Sequence, residues 1–122
     1  LSRREVLSLN LQIFHYETVK QEEVGDGAKN AKIRWLITEK NGATHFVMRH
    51  FEVGPNGFTP LHKHPYEHEI FVLSGSGVVI VGSEEKPFSG GDVIFIPPNV
   101  EHQLRSRGKT EFLCFIPLLK KD

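Results

Sequence analysis

Four histidines, His62, His64, His68 and His102, have the types and spacing to share one metal ion. Three of them fall within GFTPLHKHPYEHEIFVLSGSG (57–77), and the fourth closes GGDVIFIPPNVEH (90–102). Imidazole is the commonest protein metal ligand and binds as the neutral ring, the form available near pH 7. Residues two apart on a strand point to the same face, so His62 and His64 can offer two nitrogens to one ion. Pro65–Tyr66 breaks that run, and His68 can return from the start of the next strand. His102 then arrives from a distant strand. The chemistry would belong to the ion: activation of an enolisable or carboxylate substrate, or of dioxygen.

Such residues need a rigid frame, and the chain reads as strands punctuated by turns. Leu7, Leu9, Leu11 and Ile13 alternate with polar partners, the pattern of a half-buried strand. Residues 20–32 are polar and contain Gly25-Asp26-Gly27, which reads as a loop. Strand-like runs follow at about 33–39, 45–53, 58–62, 68–74, 77–82, 92–97, 101–106 and 111–116. Asn41-Gly42, Gly54-Pro55-Asn56-Gly57, Gly75-Ser76-Gly77 and Gly90-Gly91 supply the breaks. No segment carries the helical period that βαβ crossovers need. The expectation is an all-β jelly-roll barrel, with Gly75, Gly77 and Gly91 providing positive φ at tight turns. Trp35, Phe46, Met48, Phe58, Phe71 and Phe95 are its core candidates. His15, His45 and His50 read as strand-face residues or local hydrogen-bond partners, with His50 a candidate for the barrel mouth. Ile70, Val72, Ile94 and Ile96 would form apolar pocket walls if they share the inward parity of His68.

Both histidine segments resemble the two motifs of the cupin superfamily. The first motif reads Gly, five residues, His-x-His, three or four residues, Glu, six residues, Gly. His62, His64 and Gly75 match; His68 stands in the Glu slot, and Gly57 is one residue too close. The second reads Gly, five residues, Pro-x-Gly, two residues, His, three residues, Asn. Gly91, Pro97 and His102 match, while Asn99 replaces the second Gly and Ser106 the final Asn. The motifs cover about a third of the chain, and the strand pattern extends the resemblance to most of it. It implies a small single-domain cupin with a four-histidine site. The six-residue spacing to Gly75 favours His68 as the third ligand; Glu69 is the alternative, although strand parity would turn it outward. The resemblance also implies a divalent transition metal, manganese or iron first, with zinc, nickel or copper open, and a homodimer.

The rest of the chain is consistent with one domain spanning residues 1–122, in which residues 1–32 form an N-terminal strand and loop available for dimerisation. With 122 residues it can bury roughly two-thirds of its unfolded surface. Fifteen basic and fifteen acidic residues balance, which gives no footprint for nucleic acid or an anionic membrane. No apolar run approaches the ~20 residues of a membrane span, and no signal-peptide pattern opens the chain. Cys114 is the single cysteine, which fits a reducing cytoplasm; its apolar strand, FLCFIP, marks it as a buried thiol. Together these features favour a metal-dependent oxygenase of a small organic molecule. The alternatives are a metal-dependent isomerase or decarboxylase of a small acid, and a non-catalytic ligand- or metal-binding module.

Overall fold

The computed structural model describes residues 11–119. Seven strands follow in chain order: β1 (Glu22–Glu23), β2 (Lys29–Ile37), β3 (Phe46–Phe58), β4 (His68–Val81), β5 (Glu84–Ser89), β6 (Val93–Ile96) and β7 (His102–Pro117). Among the described residues helix is confined to two 3₁₀ turns, Tyr16–Thr18 and Glu39–Asn41. Every strand pairing is antiparallel, in the order β1-β2-β3-β7-β4-β5, with β6 also on β4. The order crosses between strands distant in sequence, as a jelly roll requires. The fold is the all-β jelly-roll barrel that the strand pattern implies.

The long central strands are longer than the sequence suggests, and one reason is Gly75. The pattern expects a break at Gly75-Ser76-Gly77, but β4 runs through it. Register shifts on β7 between Val72 and Ser76 mark a bulge there, and Gly75 sits in it at φ +90° with the Lys109 carbonyl where a Cβ would go. Gly77 has no positive φ; it is small because the Arg105 carbonyl passes against it. Below the bulge β4 pairs with β6, and above it with β5. One bent strand therefore serves two neighbours.

Other expectations shift in the same way. The 101–106 and 111–116 runs merge into β7, and β2 begins inside the expected 20–32 loop. Residues 58–62 form no strand beyond β3's end at Phe58, only an isolated bridge between His62 and His102. β5 escapes the apolar pattern because it is a charged edge strand carrying Pro87, held down by buried Phe88. Most of the Leu7–Phe14 strand expectation lies outside the described residues; residues 11–14 carry no strand, and Leu11 and Ile13 are exposed.

The core also has a different roster. It is built from Ile33, Val47, Phe51, Val53, Ile70, Val72, Val79, Phe88, Ile96, Leu104, Phe112 and Ile116. Phe51 and Phe112 stack at its centre with ring centroids 4.9 Å apart. Trp35, Phe46, Phe71 and Phe95 are exposed instead, and Met48 and Phe58 only half-buried. The strands alternate correctly, but aromatic size alone does not say which parity faces inward.

Candidate functional site

Register across five strands places one row of side chains together. Trp35 on β2 pairs with Arg49 on β3, Arg49 with Cys114 on β7, Cys114 with Ile70 on β4, and Ile70 with Ile94 on β6. His68 lies two residues before Ile70 on the same face of β4, so the same parity that buries Ile70 buries His68. Glu69 points to the opposite, exposed face, beside Phe95 and Phe115. His102 opens β7 and is likewise buried.

His62 and His64 come from the segment before β4, which is tied down by backbone bonds. His62 N–H donates to His102 O at 3.3 Å, and His102 N–H returns to His62 O at 3.0 Å. Thr59, just upstream, accepts from the Leu104 N–H through its hydroxyl at 2.9 Å and from the buried Gln103 amide through its carbonyl at 3.0 Å. Asn99 N–H donates to His64 O at 2.6 Å. Asn99 holds φ +63°, a left-handed conformation that asparagine adopts more readily than most residues. That accounts for Asn where the resembled motif has Gly. Ser106, in the place of the motif's Asn, bonds Val53 O at 3.3 Å and Thr110 Oγ1 at 2.8 Å.

All four motif histidines thus meet at one end of the barrel. Ring centroids are 4.2 Å apart for His62 and His64, 5.3 Å for His64 and His68, 4.7 Å for His68 and His102, and 5.5 Å for His62 and His102. Their rings are gathered, yet among the described residues no three His, Cys, Asp or Glu side chains already have metal-binding spacing. Three local features nevertheless suit a metal. Nitrogens bound at right angles to one ion at about 2.1 Å stand about 3 Å apart, and Nε2 of His62 lies 3.1 Å from Nε2 of His64. Nδ1 of His102 lies 3.0 Å from the Val100 carbonyl, which can only accept, so Nε2 keeps its lone pair. Nδ1 of His68 is buried with no partner.

The electrostatics keep His64, His68 and His102 neutral. Burial first, then the neighbouring His102 and Arg49, pushes His68 down to about 3. Burial also lowers His64, assisted by His62, His102 and Arg49. For His102 burial outweighs the opposing effect of the Val100 carbonyl. Tyr66 stacks on His64 almost in parallel, with centroids 4.8 Å apart, and fixes its plane; burial raises its hydroxyl, which stays protonated.

The histidines border a cavity of about 250 Å³ whose apolar wall includes Ile33, Trp35, Phe51, Ile70, Leu104 and Phe112. Of the wall expected from sequence only Ile70 reaches it; Val72 and Ile96 are core residues, and Ile94 packs against the core. Arg49 and Cys114 face the cavity, and Arg49 is the residue that sequence reasoning missed. Its signal was available: it stands between Val47 and Phe51 at inward parity, a charge among apolar positions. Burial raises the Cys114 thiol, so it remains protonated. His50 is not at the mouth; it is buried on the outer face of β3. His15 caps the first 3₁₀ turn, and His45 bonds Thr44.

Residues 49–116 match the cupin domain family (Cupin_2). The chain belongs to the cupin family. It is 31% identical over 97 residues to the 1-methylthio-D-xylulose 5-phosphate methylsulfurylase of Rhodospirillum rubrum, a match covering 78% of the chain. It is 30% identical over 77 residues, 62% of the chain, to the tetracenomycin polyketide synthase protein TcmJ of Streptomyces glaucescens. The cupin spans 62% of the first relative's length and 52% of the second's. Among solved structures, the polyketide cyclase RemF from Streptomyces resistomycificus superposes with a TM-score of 0.83 at 35% identity, covering 92% of this chain and 82% of that one. No helix among the described residues is long and apolar enough to cross a membrane.

Proposed function

We propose that this cupin is a metal-dependent enzyme that rearranges or cyclises a small, oxygen-rich, enolisable molecule, with His62, His64, His68 and His102 holding a divalent transition ion. The observation that carries the reading is the convergence of four imidazoles on a cavity with an apolar wall that also holds Arg49. The likeness to a polyketide cyclase over most of the chain supports the substrate chemistry. A bound divalent ion would supply Lewis-acid polarisation of a substrate oxygen or, as iron or manganese, dioxygen chemistry.

The chain's own residues do the rest. Neutral rings offer lone pairs without competing protons. Tyr66 holds the plane of His64, and the Val100 carbonyl fixes the His102 tautomer. Phe51, Phe112, Ile70 and Leu104 exclude water from one side of the cavity, which strengthens polar contacts made there. Backbone bonds already tie the segment that carries His62 and His64 to Asn99 and His102.

Oxygenation, the reaction the sequence alone favours, stays as the second reading because four neutral ligands leave a cationic centre suited to dioxygen. Pairing with a second copy, with the N-terminal segment at the interface, belongs to the same reading and is checked by sedimentation. The test of function loads the protein with Mn(II), Fe(II) or Zn(II) and offers small diketones and poly-β-keto analogues in air and under nitrogen. Conversion with Zn(II) under nitrogen supports cyclisation or isomerisation. Conversion only with Mn(II) or Fe(II) and oxygen uptake replaces it with oxygenation. Binding without conversion across the panel overturns both in favour of a non-catalytic module.

A further inference from the structure

Arg49 has a position that its neighbours inside the protein do not explain. It projects from β3 into the cavity, and its guanidinium carbon lies 5.7 Å from the Trp35 ring centre and 5.0 Å from that of Phe51. Its side-chain hydrogen-bond partner is the Cys114 Sγ, 2.9 Å from Nη2, and that thiol is neutral. Nε is buried and has no partner. Among the described residues no Asp or Glu forms an ion pair with it. Glu22, Glu23 and Asp26 line the same cavity but are solvent-exposed. A histidine ring carries no negative charge, so no buried group of the cavity offsets the guanidinium.

A partly buried cation without a counter-ion is costly, and proteins usually pair it. Aromatic neighbours stabilise guanidinium without using the N–H donors on its edge. Those donors match the planar, two-oxygen geometry of a carboxylate or enolate. We infer that Arg49 binds an anionic oxygen group of the substrate, so that the substrate class is an aromatic or polyketide-like acid or enolate whose apolar body lies against Phe51, Phe112 and Trp35. The inference rests on this cavity being the substrate site of the proposed function, but not on the metal.

The test uses metal-free protein, stripped with EDTA at pH 8, and two probes of one shape: 2-naphthoate and uncharged 2-naphthamide. Calorimetric titration of the wild type should show at least about a tenfold preference for the carboxylate, the size of a single charge-assisted contact. Arg49→Met should erase the preference while leaving naphthamide binding unchanged, a split that a purely structural arginine would not produce. Arg49→Lys should restore part of it. An undiminished preference in Arg49→Met, or none in the wild type, overturns the assignment. If the variants do not fold, the wild-type protein still decides: the ¹⁵N resonance of the Arg49 Nε–H must move with naphthoate and stay with naphthamide. An unmoved resonance rejects the idea. Loss of metal binding in His62→Ala with the naphthoate preference intact supports the arginine assignment separately from the metal; a preference that persists in a wild type unable to bind any metal sinks the metal reading alone.

Discussion

His68 and His50 are both buried in the wall of the same barrel, at 5% and 2% exposure, but on opposite faces of the sheet. Around His50 the chain supplies complementary partners. Tyr16 covers the ring at 4.7 Å between centroids, and Glu111 Oε1 lies 3.3 Å from Nε2. Arg34 reaches over Tyr16 to bond the Glu17 and Val19 carbonyls, while Glu52 is bonded by Lys109 at 2.8 Å and Gln21 at 2.9 Å. Opposite charges meet there, and the N-terminal segment is fastened to the sheet. Around His68 there are three other imidazoles, an arginine and apolar walls, and the acids that line the cavity, Glu22, Glu23 and Asp26, are solvent-exposed, with Asp26 Oδ2 3.8 Å from His62 Nδ1. The outer cluster meets its charges with opposite ones from within the chain, although both His50 ring nitrogens and Arg34 Nε lack a hydrogen-bond partner. The inner one has no buried acid to set against its arginine. Burial alone therefore does not separate the two histidines; the presence or absence of a complementary buried or half-buried charge does.

The largest expected effect separates the two regions directly. His62→Ala or His102→Ala should reduce affinity for Mn(II) or Zn(II) by more than ~100-fold, beyond what loss of an outer partner causes, with the circular dichroism spectrum unchanged. For the partly exposed His62 the metal-free stability should move by about 1 kcal/mol or less. Metal titration and urea unfolding of the two proteins check both statements.

His50→Ala should do the reverse. Removing a buried ring beneath Tyr16 and leaving Glu111 without its partner should cost about 1–3 kcal/mol, while metal stoichiometry and affinity hold. A His50 variant that lost metal but not stability would collapse the distinction.

Acid sharpens the comparison further. Both His68 and His50 are lowered by burial, but at His50 Glu111 opposes that shift. A histidine lowered in the fold lets the unfolded chain take up protons first. Its stabilising contribution is therefore complete above the unfolded value near 6.5 and declines as pH falls towards the folded value, about 3 for His68. Urea midpoints of the metal-free protein should fall between pH 6.5 and 4. His68→Gln should flatten that slope more than His50→Gln does. The smallest effect belongs to Glu69→Gln, which should leave metal affinity within about twofold and stability within about 0.5 kcal/mol because that carboxylate faces solvent.

Much of this was legible in the chain because spacing and parity are local properties. The period of two that puts His68 inward and Glu69 outward is written in residues 68–72, and the turn-rich strand pattern specifies a barrel. What was not legible depends on contacts between distant segments. β5 is a strand because an edge of β4 is free to bind it, not because EEKPFS alternates. Phe46, Phe71 and Phe95 are exposed because their strands turn the other face inward, a choice made by neighbours. Arg49 gains its meaning only when Trp35, Cys114 and the histidine end of the barrel come beside it.

The reciprocal backbone bonds between His62 and His102 join positions 40 residues apart (102 − 62), and they bring the two halves of the histidine set together. No single hairpin of the fold carries both halves. During folding the complete four-histidine set does not exist until the barrel has closed. Long-range closure of this kind is slow in antiparallel barrels. Metal should therefore leave the folding rate unchanged and act entirely by slowing unfolding. On the proposed reading, the chain folds without its ion and takes it up only once the barrel has closed.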